Sequence, residues 1–390
     1  MPLRPHQFDA TKAMFQHSKG QIIIPTGGGK TMCMIDDAEQ RFRSTIGDTI
    51  VVVAPRILLA EQLSSEFLEI LDNVSVMHVH SGETYHYSTT NSHKIRVWNN
   101  NTVGNKIIFT TYHSLHRIVE SDISIDTIYF DEAHNSVQRN FFSSVKFYGT
   151  VGADRCFFFT ATPKHSTTVK KAGMNNREVY GDVIINVPAP KLVDEGYILP
   201  PKVEVYKSRL LRKDEIYSEV ESEHMIGAID RLEVDKVLIC AKSTRQITNL
   251  LYASKFQNEL AWRGYSWMTI TSKTGAIIDG EKVGRDEFFN VLNAWGKDDD
   301  KKFVVLHHSI LAEGINVKGL EAALFMRNMD YITISQTIGR VIRLGNSKKT
   351  HGKVCVPVYN NVGISTARRV EAVVDTVFNR GEPAISVITR

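Results

Sequence analysis

The chain has 390 residues, 42% of them apolar and 23% charged, a mix that suits two folded domains with buried cores and excludes a mainly disordered polymer. No window of about 18 uncharged apolar residues occurs, and no apolar run follows Met1–His6, so neither a membrane span nor a secretory signal is expected. The net charge of +4, from 47 Lys and Arg against 43 Asp and Glu, neither demands nor excludes a nucleic-acid partner, because a local basic groove fits a nearly neutral protein.

Short, β-branched apolar runs recur along the chain. Gln21–Ile24, Ile50–Val53, Ile107–Thr110, Thr127–Phe130 and Cys156–Phe159 form a first set of predicted strands. Val237–Ile239, Trp267–Ile270, Phe303–Leu306, Ala322–Met326 and Val354–Val358 form a second. Each is too short for a helix and too continuous for a sheet with one wet face, which is how strands covered on both faces read. Ile57–Leu71 and Ser243–Trp262 read as helices between them, and this alternation argues for parallel α/β sheets. Val187-Pro188-Ala189-Pro190 opposes regular structure. The expected organisation is one α/β domain over 1–187, a connector over 188–201 and a second α/β domain over 202–390.

Ser81–Gly104 is rich in Ser, Thr, Asn and His and reads as a long polar loop or a small hairpin insertion. Tyr85, Tyr87, Lys94, Arg96 and Trp98 within it would suit single-strand stacking, and a surface loop with its own apolar cluster is an equal alternative. Cys33, Cys156, Cys240 and Cys355 lack metal-ligand spacing and read as reduced, buried thiols. His78, His80, His86 and His93 lack Cys or acidic partners at matching spacing, so no metal site is expected there.

Two segments carry chemistry. The strand at Gln21–Ile24 runs into Pro25-Thr26-Gly27-Gly28-Gly29-Lys30-Thr31 and then a helix start. Glycines let several backbone N–H groups point at one anion, and the helix N-terminus adds partial positive charge. Lys30 can reach the β- and γ-phosphates of ATP, and the Thr31 hydroxyl can bind Mg²⁺. The strand at Thr127–Phe130 delivers Asp131-Glu132-Ala133-His134. Two carboxylates at a buried strand end are costly without a task. Asp131 would hold Mg²⁺, and Glu132 would orient and deprotonate an attacking water.

At these residues the chain resembles the superfamily 2 helicases of the DEAD/DEAH type, motors of two tandem RecA-like P-loop NTPase domains with mainly parallel sheets. The resemblance covers nearly the whole chain, with the motifs in the family's order. It implies adenine contact by Gln7 and Arg4 in Leu3-Arg4-Pro5-His6-Gln7, and nucleotide contact by Pro25–Thr31. It also implies nucleic-acid contact by Arg56, Thr111, Lys273 and Thr274, to which Ser243 is added as a residue just past a predicted strand end. His134, Thr160 and Thr162 would couple ATP chemistry to strand movement. Glu313-Gly314-Ile315-Asn316 is similar to the motif facing both ligands, which puts Gly314 and Asn316 at the nucleotide. Gln336-Thr337-Ile338-Gly339-Arg340-Val341-Ile342-Arg343 resembles the segment whose arginines reach across a cleft to the γ-phosphate, with Gln336 beside them. Arg340 and Arg343, spaced i, i+3, would share one helix face.

Thr160-Ala161-Thr162-Pro163 and Leu192–Tyr197 resemble the branch of DNA helicases and restriction-type translocases. The short stretch after Arg343 fits a minimal two-lobe motor, such as a phage or mobile element encodes, or the core of a longer chain. The expectation is a cytoplasmic, monomeric, ATP- and Mg²⁺-dependent helicase acting on single-stranded or forked DNA, with no membrane partner. A duplex translocase or annealing motor, an RNA helicase and a non-catalytic binding subunit stay open.

Overall fold

The apolar runs become the strands of two sheets. The computed structural model describes residues 2–168, 170–207, 209–271, 273–308, 319–345 and 349–388. The chain divides into two units, Met1–Val187 with Ile385–Arg390, and Pro188–Ala384.

The first unit carries strands β1 (Lys19–Ile23), β2 (Thr49–Ala54), β3 (Ser75–Val79), β4 (Tyr87–Ser88), β5 (Lys106–Thr111), β6 (Thr127–Phe130), β7 (Arg155–Thr160), β8 (Lys164–Ser166) and β9 (Val183–Asn186). Its helices are α1 (Pro5–Gln16), α2 (Lys30–Ser44), α3 (Ile57–Leu68), α4 (Ser92–Asn101), α5 (Leu115–Ser121), α6 (Arg139–Phe147) and α7 (Arg177–Tyr180). One sheet runs β4-β3-β5-β2-β6-β7-β1-β9 with every pairing parallel. The loops after β1, β2, β5, β6 and β7 therefore share its C-terminal edge, where parallel α/β sheets hold their ligands. Phe157, Phe158 and Phe159 on β7 are fully buried, as both-face burial requires. Beneath them the Arg155 guanidinium grips Asp37 of α2 with two hydrogen bonds of 2.7 and 2.9 Å and donates to the Met14 carbonyl of α1. The Tyr129 hydroxyl of β6 donates to the same carboxylate. This buried network ties the helix that follows the glycine-rich turn to two central strands.

The second unit carries β10 (Pro201–Tyr206), β11 (Lys236–Cys240), β12 (Ser266–Thr271), β13 (Gly275–Ile278), β14 (Glu281–Val283), β15 (Phe303–His307), β16 (Ala322–Phe325) and β17 (Gly352–Pro357). Their order is β10-β17-β16-β11-β15-β12-β13-β14, parallel except for the antiparallel pairs β12–β13 and β13–β14. Its helices are α8 (Ala189–Asp194), α9 (Tyr217–Leu232), α10 (Thr244–Tyr252), α11 (Phe256–Trp262), α12 (Arg285–Lys297), α13 (Tyr331–Val341) and α14 (Asn361–Val374). The last strand, β18 (Ser386–Ile388), pairs with β8 of the first unit. All four cysteines are buried free thiols. Among the described residues no helix is long and apolar enough to cross a membrane.

Three local readings change. Ser81–Gly104 is neither a plain loop nor a hairpin: β4 extends the sheet and α4 follows, capped where the Lys94 amide donates to Asn91 Oδ1 at 3.0 Å. Its apolar stripe is narrow, with Ile95 alone fully buried, so the periodicity was faint. Ser243–Trp262 is two helices, broken at Ala253-Ser254-Lys255. Pro188 and Pro190 do not oppose a helix. They sit at the N-cap and first turn of α8, where a missing N–H costs nothing, and Leu192 of that helix is fully buried.

Candidate active site

β1 ends at the glycine-rich turn. The Gly28 amide donates to the Pro25 carbonyl at 2.9 Å, and Gly27 and Gly29 take φ of 87° and 82°, a left-handed region that side chains disfavour. Gly29 is the N-cap of α2, so Lys30 and Thr31 open the helix. The turn is held from behind by α1. The Gln7 amide donates to the carbonyls of Gly28 and Gly29 at 3.4 and 3.2 Å, while its oxygen accepts from the Arg4 amide at 2.9 Å. His6 Nε2 donates to the Gly28 carbonyl at 2.7 Å. The residues expected at adenine thus brace the turn, and His6, which sequence reasoning passed over, shares that work. Its position beside Gln7 in the first turn of α1 was the available signal.

β6 ends at Asp131 and Glu132. Glu132 adopts φ 45° and ψ 53°, a left-handed conformation that costs a non-glycine residue about 1–2 kcal/mol. Such strain at a strand end is a mark of a functional turn. Its carboxylate lies 3.9 Å from Lys30 Nζ and 3.5 Å from His134 Nδ1. His134 Nδ1 also lies 3.1 Å from Thr160 Oγ1 and 3.4 Å from Thr162 Oγ1, and the Thr162 amide donates to Thr160 Oγ1 at 3.0 Å. Lys30, Glu132, His134, Thr160 and Thr162 are therefore one continuous buried polar chain across the ends of β1, β6 and β7. Tyr112, a further residue not singled out from sequence, donates its buried hydroxyl to the Asp131 carbonyl at 2.9 Å and fixes that turn from β5.

Burial, reinforced by the neighbouring Glu132 and opposed by Lys30, pushes the Asp131 carboxyl above the usual carboxylate range. Two crowded carboxylates, with the proton affinity of Asp131 raised, are a donor set that a divalent cation would relieve. Among the described residues no group of three His, Cys, Asp or Glu is set to hold a metal alone. Mg²⁺ at Asp131 and Thr31 would therefore need phosphate and water ligands, its usual arrangement beside a nucleotide. The Thr26 hydroxyl is buried with no hydrogen-bond partner among the described residues, a polar atom left for a ligand of the turn.

The expected nucleic-acid contacts are placed less uniformly. Arg56 is exposed at the N-cap of α3, at the C-terminal edge of the sheet. Thr111, at the end of β5, is only 3% exposed. In the second unit Ser243 caps α10, its hydroxyl oxygen accepting from the Gln246 amide at 3.2 Å. Lys273 is exposed in the β12–β13 turn, and the Thr274 hydroxyl lies 2.7 Å from that of Thr271. Gln336 and Arg340 are buried on α13. Arg343 stands past the helix end at Val341, so the two arginines do not share a continuous helical face. Gly314 and Asn316 lie outside the described residues.

Residues 1–165 match the family described as Type III restriction enzyme, res subunit. No curated protein matches the chain in sequence. The fold is shared with the ATP-dependent Type ISP restriction-modification enzyme LlaBIII bound to DNA (TM-score 0.74, 17% identity, 100% of this chain and 31% of that one). It is shared with a nuclease-deletion mutant of the Type ISP enzyme LlaGI in complex with a DNA substrate mimic (TM-score 0.69, 19% identity, 99% and 30%). A fragment assigned as an HsdR subunit of a type I restriction enzyme from Vibrio vulnificus YJ016 also matches (TM-score 0.62, 13% identity, 98% and 67%). The chain thus spans under a third of the two Type ISP enzymes. The family match covers the first 165 residues, and over the rest of the chain the likeness to these enzymes is one of fold.

Proposed function

We propose that the chain is an ATP-hydrolysing motor that moves on DNA. The observation that carries this reading is the buried chain from Lys30 through Glu132 and His134 to Thr160 and Thr162, set beside a glycine turn with left-handed Gly27 and Gly29. The turn's N–H groups and Lys30 would bind the phosphates of ATP. Mg²⁺ held by Thr31 and Asp131 would supply positive charge against the phosphate oxygens. Glu132, oriented by Lys30 and His134, would accept the proton of the attacking water. His134 would pass the state of Glu132 to the Thr160–Thr162 turn, which is a route from hydrolysis to movement. The roles of Arg340, Arg343, Gly314 and Asn316 at the nucleotide rest on the family resemblance.

DNA as the track is supported by the restriction-modification enzymes of like fold, whose structures were obtained with DNA or a DNA mimic. Arg56, Ser243, Lys273 and Thr274 would grip phosphate, sequence-independently, as a stepping motor needs. Strand displacement on forked, tailed and blunt DNA, run beside displacement of a protein roadblock from duplex DNA, tests the mode of action. Release of a strand marks a helicase. Roadblock displacement without strand release marks a duplex translocase, and neither outcome under conditions of ATP turnover overturns the motor reading.

A further inference from the structure

Outside the ATP-binding edge, the first unit has an open recess of about 480 Å³ between β4 and the outer face of α4. That is within the range of small-ligand sites, roughly 300–1,000 Å³. Tyr87, 47% exposed, the half-buried Trp98 and Val97 line it. His93, Lys94 and Asn101 complete the rim, and no carboxylate is among the lining residues.

The chemistry of this recess is selective. Two aromatic rings with an apolar neighbour offer a stacking surface, which every nucleobase can use regardless of sequence. Lys94 and His93 favour an anion, and Asn101 can pair with a polar base edge. A rim with two basic groups and no acid complements phosphate and disfavours an acid-seeking basic peptide. The topology adds the direction. β4 runs parallel to β3, so the start of α4, with His93 and Lys94, lies on the same C-terminal edge of the sheet as Arg56 at the start of α3. The loop before β4 is pinned to that region, with His86 stacked on His78 at 5.4 Å.

We infer that the β4–α4 recess binds one unpaired nucleotide of single-stranded DNA, its base against Tyr87 and Trp98 and its phosphate at Lys94. This rests on the DNA-motor reading and adds to it a grip for a strand that has left the duplex. Alanine at Tyr87, an exposed residue, should weaken binding of a fluorescein-labelled oligothymidine about fivefold or more, the loss of one stacked base. Binding to a blunt duplex and DNA-free ATP turnover should not change. Tyr87→Phe should keep wild-type affinity, and Lys94→Ala should weaken oligothymidine binding and flatten its salt dependence by about one phosphate. Photo-crosslinking of iodouracil-substituted DNA should label the β4–α4 peptide. Wild-type oligothymidine affinity in Tyr87→Ala, or equal weakening on blunt duplex, overturns the inference and leaves the motor reading standing. Absence of DNA binding by the wild-type chain overturns both. Capture of a protein partner by the recess, with oligothymidine affinity unmoved by Tyr87→Ala, reassigns it as a protein-docking surface.

Discussion

Alanine at Gly29 should loosen the whole glycine-rich turn through a residue 22 positions away. Gly29 sits at φ 82°, where a Cβ costs about 1–2 kcal/mol. That Cβ would also stand 2.2 Å from Gln7 Nε2, so the Gln7 side chain must leave. Its departure forfeits the hydrogen bonds to the Gly28 and Gly29 carbonyls and uncaps α1 at Arg4. Each of the three bonds contributes about 0.5–1.5 kcal/mol, so with the backbone part the variant should lose about 2.5–6.5 kcal/mol of stability in all. Urea denaturation reads this directly, and a fluorescent ATP analogue reads the accompanying loss of affinity. Gln7→Ala removes the obstructing amide, so in that background Gly29→Ala should cost only the backbone part. The two substitutions should therefore be less than additive by the shared hydrogen-bond part, about 1.5–4.5 kcal/mol. Strict additivity, or a Gly29→Ala chain as stable as the wild type, would refute the bracing of the turn by α1.

Asp37→Ala should cost roughly 3–5 kcal/mol, because it leaves the Arg155 guanidinium buried without its carboxylate. Adding Arg155→Met should recover part of that loss in denaturation midpoints, and a cost under about 1 kcal/mol would contradict the network's role. Acid should destabilise the chain through buried histidines. Burial, then His80 and His86, lowers His78 to about 3, and burial, then Arg340, Arg327 and His308, lowers His307 to about 3. Both fold as neutral rings, so their stabilising contribution is present above the ordinary histidine range and is lost as pH falls below it. Each should add a slope of up to about 1.4 kcal/mol per pH unit between about pH 6 and pH 4. Denaturation midpoints across that interval check it, and a flatter slope in His307→Gln is expected.

The strands were legible because both-face burial writes uninterrupted apolar runs, and Thr127–Phe130 is a strand with the same bounds in the structure. The glycine-rich turn and the acidic strand end were legible because glycine and paired carboxylates are chemically conspicuous. β3 and β10 were not. Ser75–Val79 carries a Ser and a His, the latter satisfied internally by Ser64 and His80, and β10 begins with a proline tolerated at the first position of an edge strand. The bracing by His6, Gln7 and Tyr112 was hidden because it joins residues distant in sequence through backbone carbonyls. Such acceptors exist at every position and leave no trace in residue type. Thr111 shows the reverse limit, a motif position whose burial the sequence did not reveal.

ATP turnover by the wild-type chain and by Glu132→Gln, with and without DNA, tests the motor directly. On the proposed reading Glu132, 3.9 Å from Lys30 Nζ, would take a proton while Lys30 and the glycine turn would bind phosphate without it. The wild type should hydrolyse ATP faster with DNA. Glu132→Gln should bind an ATP analogue as tightly as the wild type and lose turnover by a factor on the order of 10²–10⁴, the worth of a positioned general base. Undiminished turnover in Glu132→Gln, or a wild-type chain that binds DNA and never hydrolyses ATP, would contradict the assignment.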